Sequence, residues 1–198
     1  MEKLTSEVAV VNTLTYGMHV PKKSPMDWSR AGLSRLASAG LDGVRVEVLA
    51  RDLGVTKGSF YWHFRDRQAL LDSMLEQWEL QATDEVIAAA ERSGTDAQTH
   101  FTRLMEISGD SFDARLELAL RAWGRDDAAV RKAIEAVDAR RLATVRGFLG
   151  QMGFEGAARE ARVFLLCSVL FGAALLPESH GRYSRRRVMH EVIELLSG

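Results

Sequence analysis

From residue 26 to residue 176 the chain runs 151 residues without a proline. Proline removes a backbone donor and clashes with the preceding turn, costing about 3 kcal/mol in a helix interior. A stretch this long without one leaves helices free to run wherever side chains support them. The side chains do so: Leu71, Met74, Leu75, Trp78 and Ala82 recur at helical steps, alternating strand patterns are missing, and β-branched clusters are short. The expected fold class is all-α.

Glycines and capping residues divide this stretch. A first helix is expected over 26–39, with Trp28, Ala31, Leu33, Leu36 and Ala37 facing inward and Gly40 ending it. Asp42-Gly43 marks a turn. A short helix over 45–53 stops at Gly54, and a second opens near Thr56 and reaches Trp62. Asp66 reads as the N-cap of a long helix over 66–90. Beyond the break at Ser93-Gly94-Thr95, helices are expected near 97–108, 113–123, 127–152, 155–176 and 184–196. Residues 1–25, with Pro21, Lys22, Lys23, Ser24 and Pro25, read as a flexible arm. Residues 26–75 form a three-helix unit and 76–198 a larger helical body.

Composition excludes several classes. With 46% hydrophobic and 27% charged residues, the chain is neither disordered nor a coiled-coil rod. Its one cysteine, Cys167, permits no intrachain disulfide and no Cys-rich zinc site. The longest apolar stretch, 163–176, spans 14 residues and is interrupted by Ser168 and Gly172. A bilayer core requires about 20. The start, Met1-Glu2-Lys3, lacks the pattern of a signal peptide. The expectation is a cytoplasmic protein with no membrane segment.

The formal net charge is −1, from 26 Lys+Arg and 27 Asp+Glu, which argues against nucleic acid as a partner. Position changes that conclusion. Residues 22–67 hold nine basic and five acidic residues, a net of +4, whereas residues 68–198 hold 16 and 20, a net of −4. A basic end is joined to an acidic body.

The basic end contains the run from Val46 through Leu49, Ala50, Gly54, Val55, Thr56, Lys57, Gly58, Ser59, Phe60, Tyr61, Trp62 and His63 to Phe64. Its spacing is that of a helix-turn-helix. Ala50 is small enough for a second helix to cross closely, and Gly54 supplies the positive φ of a tight turn. Leu49, Leu53, Val55 and Phe60 fix the crossing angle, and Thr56 is placed to cap. The second helix's N-terminal N–H groups offer a phosphate seat. Lys57 can donate to guanine, Ser59 can serve either base edge, and Gly58 lets the backbone approach. Tyr61, Trp62 and His63 carry donors for phosphates. The alternative is a helical hairpin with a capping threonine and a buried aromatic cluster.

Residues from about 28 to 75 resemble the N-terminal domain of the TetR family of bacterial transcriptional regulators. The resemblance rests on the helix ending at Gly40, on Val48-Leu49-Ala50, on the run from Gly54 to Phe64, and on Asp66-Arg67-Gln68-Ala69-Leu70-Leu71. Residues beyond it resemble the family only in length and helical character. The resemblance implies a homodimer whose paired recognition helices enter successive major grooves of a palindromic double-stranded DNA operator. It implies base contacts from Lys57, Gly58 and Ser59, and backbone contacts from Arg45, Thr56, Tyr61, Trp62, His63 and Arg67. One departure stands out. Many members place Ser or Thr at the start of the second helix, where this chain has Val44-Arg45. Glu47 then keeps the acidic half of a capping box, and Arg45 is the candidate for the phosphate contact.

In the family the body dimerises and binds a small-molecule effector, and repression is the commoner mode. Phe164, Leu165, Val169, Leu170, Val188, Val192 and Leu195 are candidates for a dimer face or for intrachain core. Met105, Phe112, Arg121, Trp123, Phe148, Cys167 and Phe171 are candidate pocket liners, each also consistent with ordinary core. Arg185-Arg186-Arg187 reads as a solvated charge run.

Other classes find less support. Gly109-Asp110-Ser111-Phe112 has the look of an esterase serine segment, but no Asp-x-x-His follows to activate Ser111. No GxGxxG, Walker loop, HExxH or GxSxG occurs, and the histidines at 19, 63, 100, 180 and 190 lack metal spacing. No enzyme, cofactor or metal is expected. A helical module that binds protein through the hairpin is the remaining alternative.

Overall fold

Ser24 opens the described structure with a reciprocal cap. Its N–H donates to Asp27 Oδ2 at 2.8 Å, and its hydroxyl accepts from the Asp27 N–H at 3.3 Å. With Pro25 at the first helical position, this starts α1 (Pro25–Ala39) one residue earlier than expected. Ser24 and Pro25 therefore belong to the helix rather than to the arm. The computed structural model describes residues 23–92, 96–172 and 181–197. The rest of the arm, Lys22 included, lies outside them.

A short 3-10 turn, Leu41–Gly43, leads to α2 (Val46–Leu53), α3 (Lys57–Tyr61) and α4 (Arg67–Glu79). A π-helical turn, Leu80–Asp84, passes directly into α5 (Glu85–Glu91). There follow α6 (Ala97–Ser111), α7 (Ala114–Asp126), α8 (Ala128–Gln151), α9 (Gly156–Gly172) and α10 (Arg185–Ser197). No strand occurs among the described residues, and the fold is all-α. None of their helices is long and apolar enough to cross a membrane. Four helices start on an aspartate whose carboxylate accepts backbone N–H groups: Asp66, Asp96, Asp113 and Asp127. Each such cap contributes about 1 kcal/mol.

The helix expected over 66–90 exists with a modification. A π turn carries about one extra residue, which rotates the downstream face by about 100°. Trp78, before it, packs in one core, and Val86 and Ala90, after it, pack in another.

The first core joins Trp28, Leu36, Val44, Leu49, Phe60, Leu70 and Met74 to Leu120 and Trp123 of α7 and Ile134 and Val137 of α8. The boundary expected at residue 75 therefore does not separate two cores. α1 packs against both α4 and α7. Its approach to α4 depends on Gly32, where a Cβ would overlap the Met74 thioether. The second core gathers Phe101, Leu104, Met105, Phe148, Leu149, Val163, Leu166 and Ile193 from α6, α8, α9 and α10.

Candidate nucleic-acid interface and adjoining cavity

Gly54 ends α2 in the left-handed region, φ +68° and ψ 31°. The Val55 N–H then reaches back to the Ala50 carbonyl at 2.9 Å, closing the turn on the small residue beneath α3. Phe60 anchors α3 from below. It is fully buried, edge-on to Trp28 at 5.3 Å and stacked on Phe64 at 5.4 Å.

The opposite side of this short helix is displayed. Thr56, Lys57, Gly58 and Tyr61 are exposed, Ser59 and His63 are half-buried, and Trp62 is 86% exposed. A Cβ on Gly58 would meet only the Thr56 hydroxyl, at an ordinary 3.7 Å. The fold itself places no demand for glycine there.

Several sequence expectations need correction. Thr56 occupies the N-cap position of α3, but its hydroxyl makes no capping hydrogen bond. The Ser59 N–H goes to the Thr56 carbonyl instead, at 3.0 Å. Glu47 forms no half of a capping box: α2 has no side-chain cap, and Glu47 Oε1 accepts from Lys57 Nζ at 2.5 Å. The Lys57 ammonium holds the Glu47 carboxyl below the usual carboxylate range, and Glu47 in turn raises the lysine. Both side chains remain half exposed, so the clasp can open toward an outside partner.

Arg45 sits at the N-cap of α2, is exposed, and its Nε donates to the Asp42 carbonyl at 2.9 Å. Arg67, expected against a phosphate backbone, is exposed and also bonds within the chain. Its Nε donates to the Val44 carbonyl at 2.7 Å and its Nη2 to the Leu41 carbonyl at 2.8 Å. The start of α4 thereby braces the turn that precedes α2. A second brace, unforeseen in the sequence, is the bidentate pair of Arg35 and Asp52 at 2.5 and 2.7 Å, which holds α1 to α2. Arg35 keeps the Asp52 carboxyl below its usual range.

Residues 30–74 match the family model described as bacterial regulatory proteins, tetR family. This segment is similar to the DNA-binding part of that family. The tetracycline repressor class A from transposon 1721 of Escherichia coli is 44% identical over 55 residues, 28% of this chain and 26% of the repressor. The chain thus spans about a quarter of the length of that curated relative. The fold extends the similarity over most of the chain. A transcriptional regulator from Rhodococcus sp. Rha1 superposes with TM-score 0.65 at 18% identity, over 89% of this chain and 95% of that one. The regulator FadR from Bacillus subtilis, in complex with stearoyl-CoA, gives TM-score 0.65 at 18% identity over 88% and 98%.

Behind the TetR-type head, α4 to α9 enclose a cavity of about 510 Å³. Of the expected liners, Met105, Phe112, Cys167 and Phe171 face it, and Arg121, Trp123 and Phe148 do not. Trp123 fills the first core and Phe148 the second, beside His100. Arg121 stands behind the wall, its guanidinium 4.7 Å from the Phe171 ring. Burial pushes the Cys167 thiol up, which keeps it protonated.

The polar groups of the wall were missed in the sequence. Glu117 is 4% exposed. Its Oε1 accepts from Arg141 Nη2 at 2.7 Å and from the Trp78 indole at 3.3 Å, and its Oε2 lies 3.6 Å from Arg121. Arg121 pairs with Asp138 at 3.0 Å, and Arg141 Nε donates to the Ala82 carbonyl of the π turn at 3.3 Å. The available signal was spacing: Glu117 and Arg121 sit four apart on α7, and Asp138 and Arg141 three apart on α8. Two complementary pairs on adjacent helices can close into one quartet. Ser111 lies at the end of α6, but its side chain is outside the described residues.

Proposed function

We propose that this chain is a transcriptional regulator that binds a palindromic operator as a homodimer and is released by a small-molecule effector. The observation that carries the reading is the contrast within α3: Phe60 is fully buried, while Trp62, two residues on, is 86% exposed. An apolar ring fixed in the core holds a donor-rich surface out to solvent, beside Lys57, Gly58 and Ser59. Exposing a tryptophan to this degree has no benefit to folding and suits an external partner. Lys57, Gly58 and Ser59 would read bases. Arg45, Thr56, Tyr61, Trp62 and His63 would lean on phosphates, and Arg67 would hold α2 in place for them.

Dimerisation is supported by apolar side chains left outside both cores. Phe164 is 70% exposed on α9, Leu165 is 46% exposed beside it, and Leu195 is 78% exposed on α10. Val169, Val188 and Val192 are half-buried on the same two helices, whereas Leu170, the other candidate there, lines the cavity. A second copy would cover them and set the spacing of two α3 helices.

The effector reading is supported by the route between cavity and head. Trp78 and the π turn form one wall, and the helix they extend begins at Arg67, which braces α2. α7 offers a parallel route, with Glu117 in the wall and Leu120 and Trp123 in the first core. A ligand acts through these only if it prefers the conformation that DNA does not. Repression is the mode this reading favours, with an operator-bound dimer occluding polymerase wherever the operator overlaps a promoter.

The test is selection of bound genomic fragments by the full chain, followed by salt titration of the recovered sites. A shared dyad with a steep salt slope is the expected result. No enrichment and no affinity at low salt would refute the reading.

A further inference from the structure

The cavity wall joins apolar and aromatic surface to a charge quartet that is neutral within itself. Glu117 and Asp138 face Arg121 and Arg141, and each arginine is paired with at least one carboxylate. Two polar atoms in this quartet lack a hydrogen-bond partner among the described residues: Glu117 Oε2, an acceptor, and Arg141 Nη1, a donor. Nη1 is 3.7 Å from Asp138, within ion-pair range but too far for a hydrogen bond. Buried polar atoms are rarely left this way, because each costs the desolvation of the group. Two further carboxylates, Asp113 and Glu85, also line the cavity, and Arg141 is its one basic lining residue among those described.

Taking the cavity as the effector site proposed above, we infer the chemical class of its ligand. It is an uncharged, mainly apolar molecule whose head group donates one hydrogen bond and accepts another, as a primary carboxamide does. Both atoms are sealed from solvent, so a small rotation of the two lining side chains would let the head donate to Glu117 Oε2 and accept from Arg141 Nη1, completing both. An anion at Nη1 would share a guanidinium whose charge Glu117 already holds through Nη2 at 2.7 Å, and would be repelled by Glu117 itself, which is buried, and by Asp138. A cation would satisfy Oε2 and leave Nη1 facing a like charge. The cavity of about 510 Å³ is large enough for a drug-sized skeleton, and Trp78, Phe112 and Phe171 supply its apolar walls.

Cys167 faces the cavity and is the chain's one cysteine, so occupancy can be read as protection from a maleimide, at an alkaline pH where the raised thiol ionises and the empty site is first seen to react. The probes are biphenyl and octyl skeletons, each bearing a carboxamide, a carboxylate or an ammonium group. With the full chain, the carboxamide should protect Cys167 and raise the melting temperature at about tenfold or more lower concentration than either charged form. In Glu117→Gln, Arg141 loses its hydrogen-bonded carboxylate and keeps only Asp138 at 3.7 Å, and the order of carboxamide and carboxylate should reverse. Should that variant fail to fold, the head-group order in the native chain still decides. A carboxylate or ammonium that protects as well as the carboxamide overturns the inference, and so does the absence of protection by any probe. Operator affinity is measured apart from protection. A carboxamide that protects Cys167 without weakening operator binding leaves the ligand class standing and refutes the effector role instead.

Discussion

Gly58→Ala separates what the fold requires from what an outside partner requires. An added Cβ would touch only Thr56 Oγ1, at 3.7 Å, and the backbone there has no positive φ. Within the chain the change should therefore be neutral or favourable. Replacing a helical glycine by alanine stabilises by roughly 0.5–1 kcal/mol, and less in a helix as short as α3. If the backbone at Gly58 comes up to a base pair, a methyl group opens that approach at every half-site. A lost or misfitted base contact costs about 1–3 kcal/mol, which is about 5- to 150-fold in affinity. The two effects have opposite sign and are measured separately, the first by thermal melting and the second by fluorescence anisotropy on a selected genomic fragment. The expected pattern is an equal or higher melting temperature with affinity reduced at least about fivefold. Unchanged affinity would refute close approach at Gly58. A lower melting temperature would refute the account of its surroundings.

Trp62→Ala should leave the melting temperature unchanged, because the ring is 86% exposed, and should weaken binding to specific and random DNA alike; a selective loss on the operator would mean that the ring reads bases. Arg67→Ala should cost about 1 kcal/mol in unfolding free energy, because two carbonyls lose charged donors, and should lower operator affinity by loosening α2. Its denaturant midpoint and anisotropy titration should move together, and loss of affinity at unchanged stability would return Arg67 to the DNA backbone. For pH, Asp27, Asp52, Glu47 and Asp96 are all held below the usual carboxylate range, by Ser24, Arg35, Lys57 and Thr99 in turn. The unfolded chain then binds protons more readily than the native one, so the stability they contribute is complete above the unfolded values, near 4, and is lost as pH falls through the folded ones. The melting temperature should hold from about pH 7 to 5 and decline below about 4; a decline that began near pH 6 would implicate other groups.

Much of the architecture was legible because the cues are local. Gly40 and Gly54 end helices where a left-handed residue is needed, and Asp66 starts one where a carboxylate can meet free N–H groups. The exposed tip of α3 was legible too, since Phe60 and Trp62 point to opposite sides at helical spacing. What escaped depends on partners distant in sequence. Arg67 has the composition of a phosphate contact, and only the fold brings the Leu41 and Val44 carbonyls under it. Lys57 likewise meets Glu47 across the helix-turn-helix angle. Glu117 looks like an ordinary first-turn acid of α7 until α8 delivers Arg141 to it. Apolar spacing marks Phe112 and Phe171 as liners, whereas the charges of Glu117, Asp138 and Arg141 become part of the wall only through helix packing.

The packing of α7 beneath α1 bears on how such heads can be exchanged between proteins. A recombination joint placed at residue 75 would part Trp28, Leu36 and Met74 from Leu120 and Trp123, leaving each half with a bare apolar surface. The head is not a detachable cartridge. A working hybrid would have to inherit α7 with it, and α7 carries Glu117. Any transplant that preserves folding would therefore carry part of the cavity wall along with the helix-turn-helix.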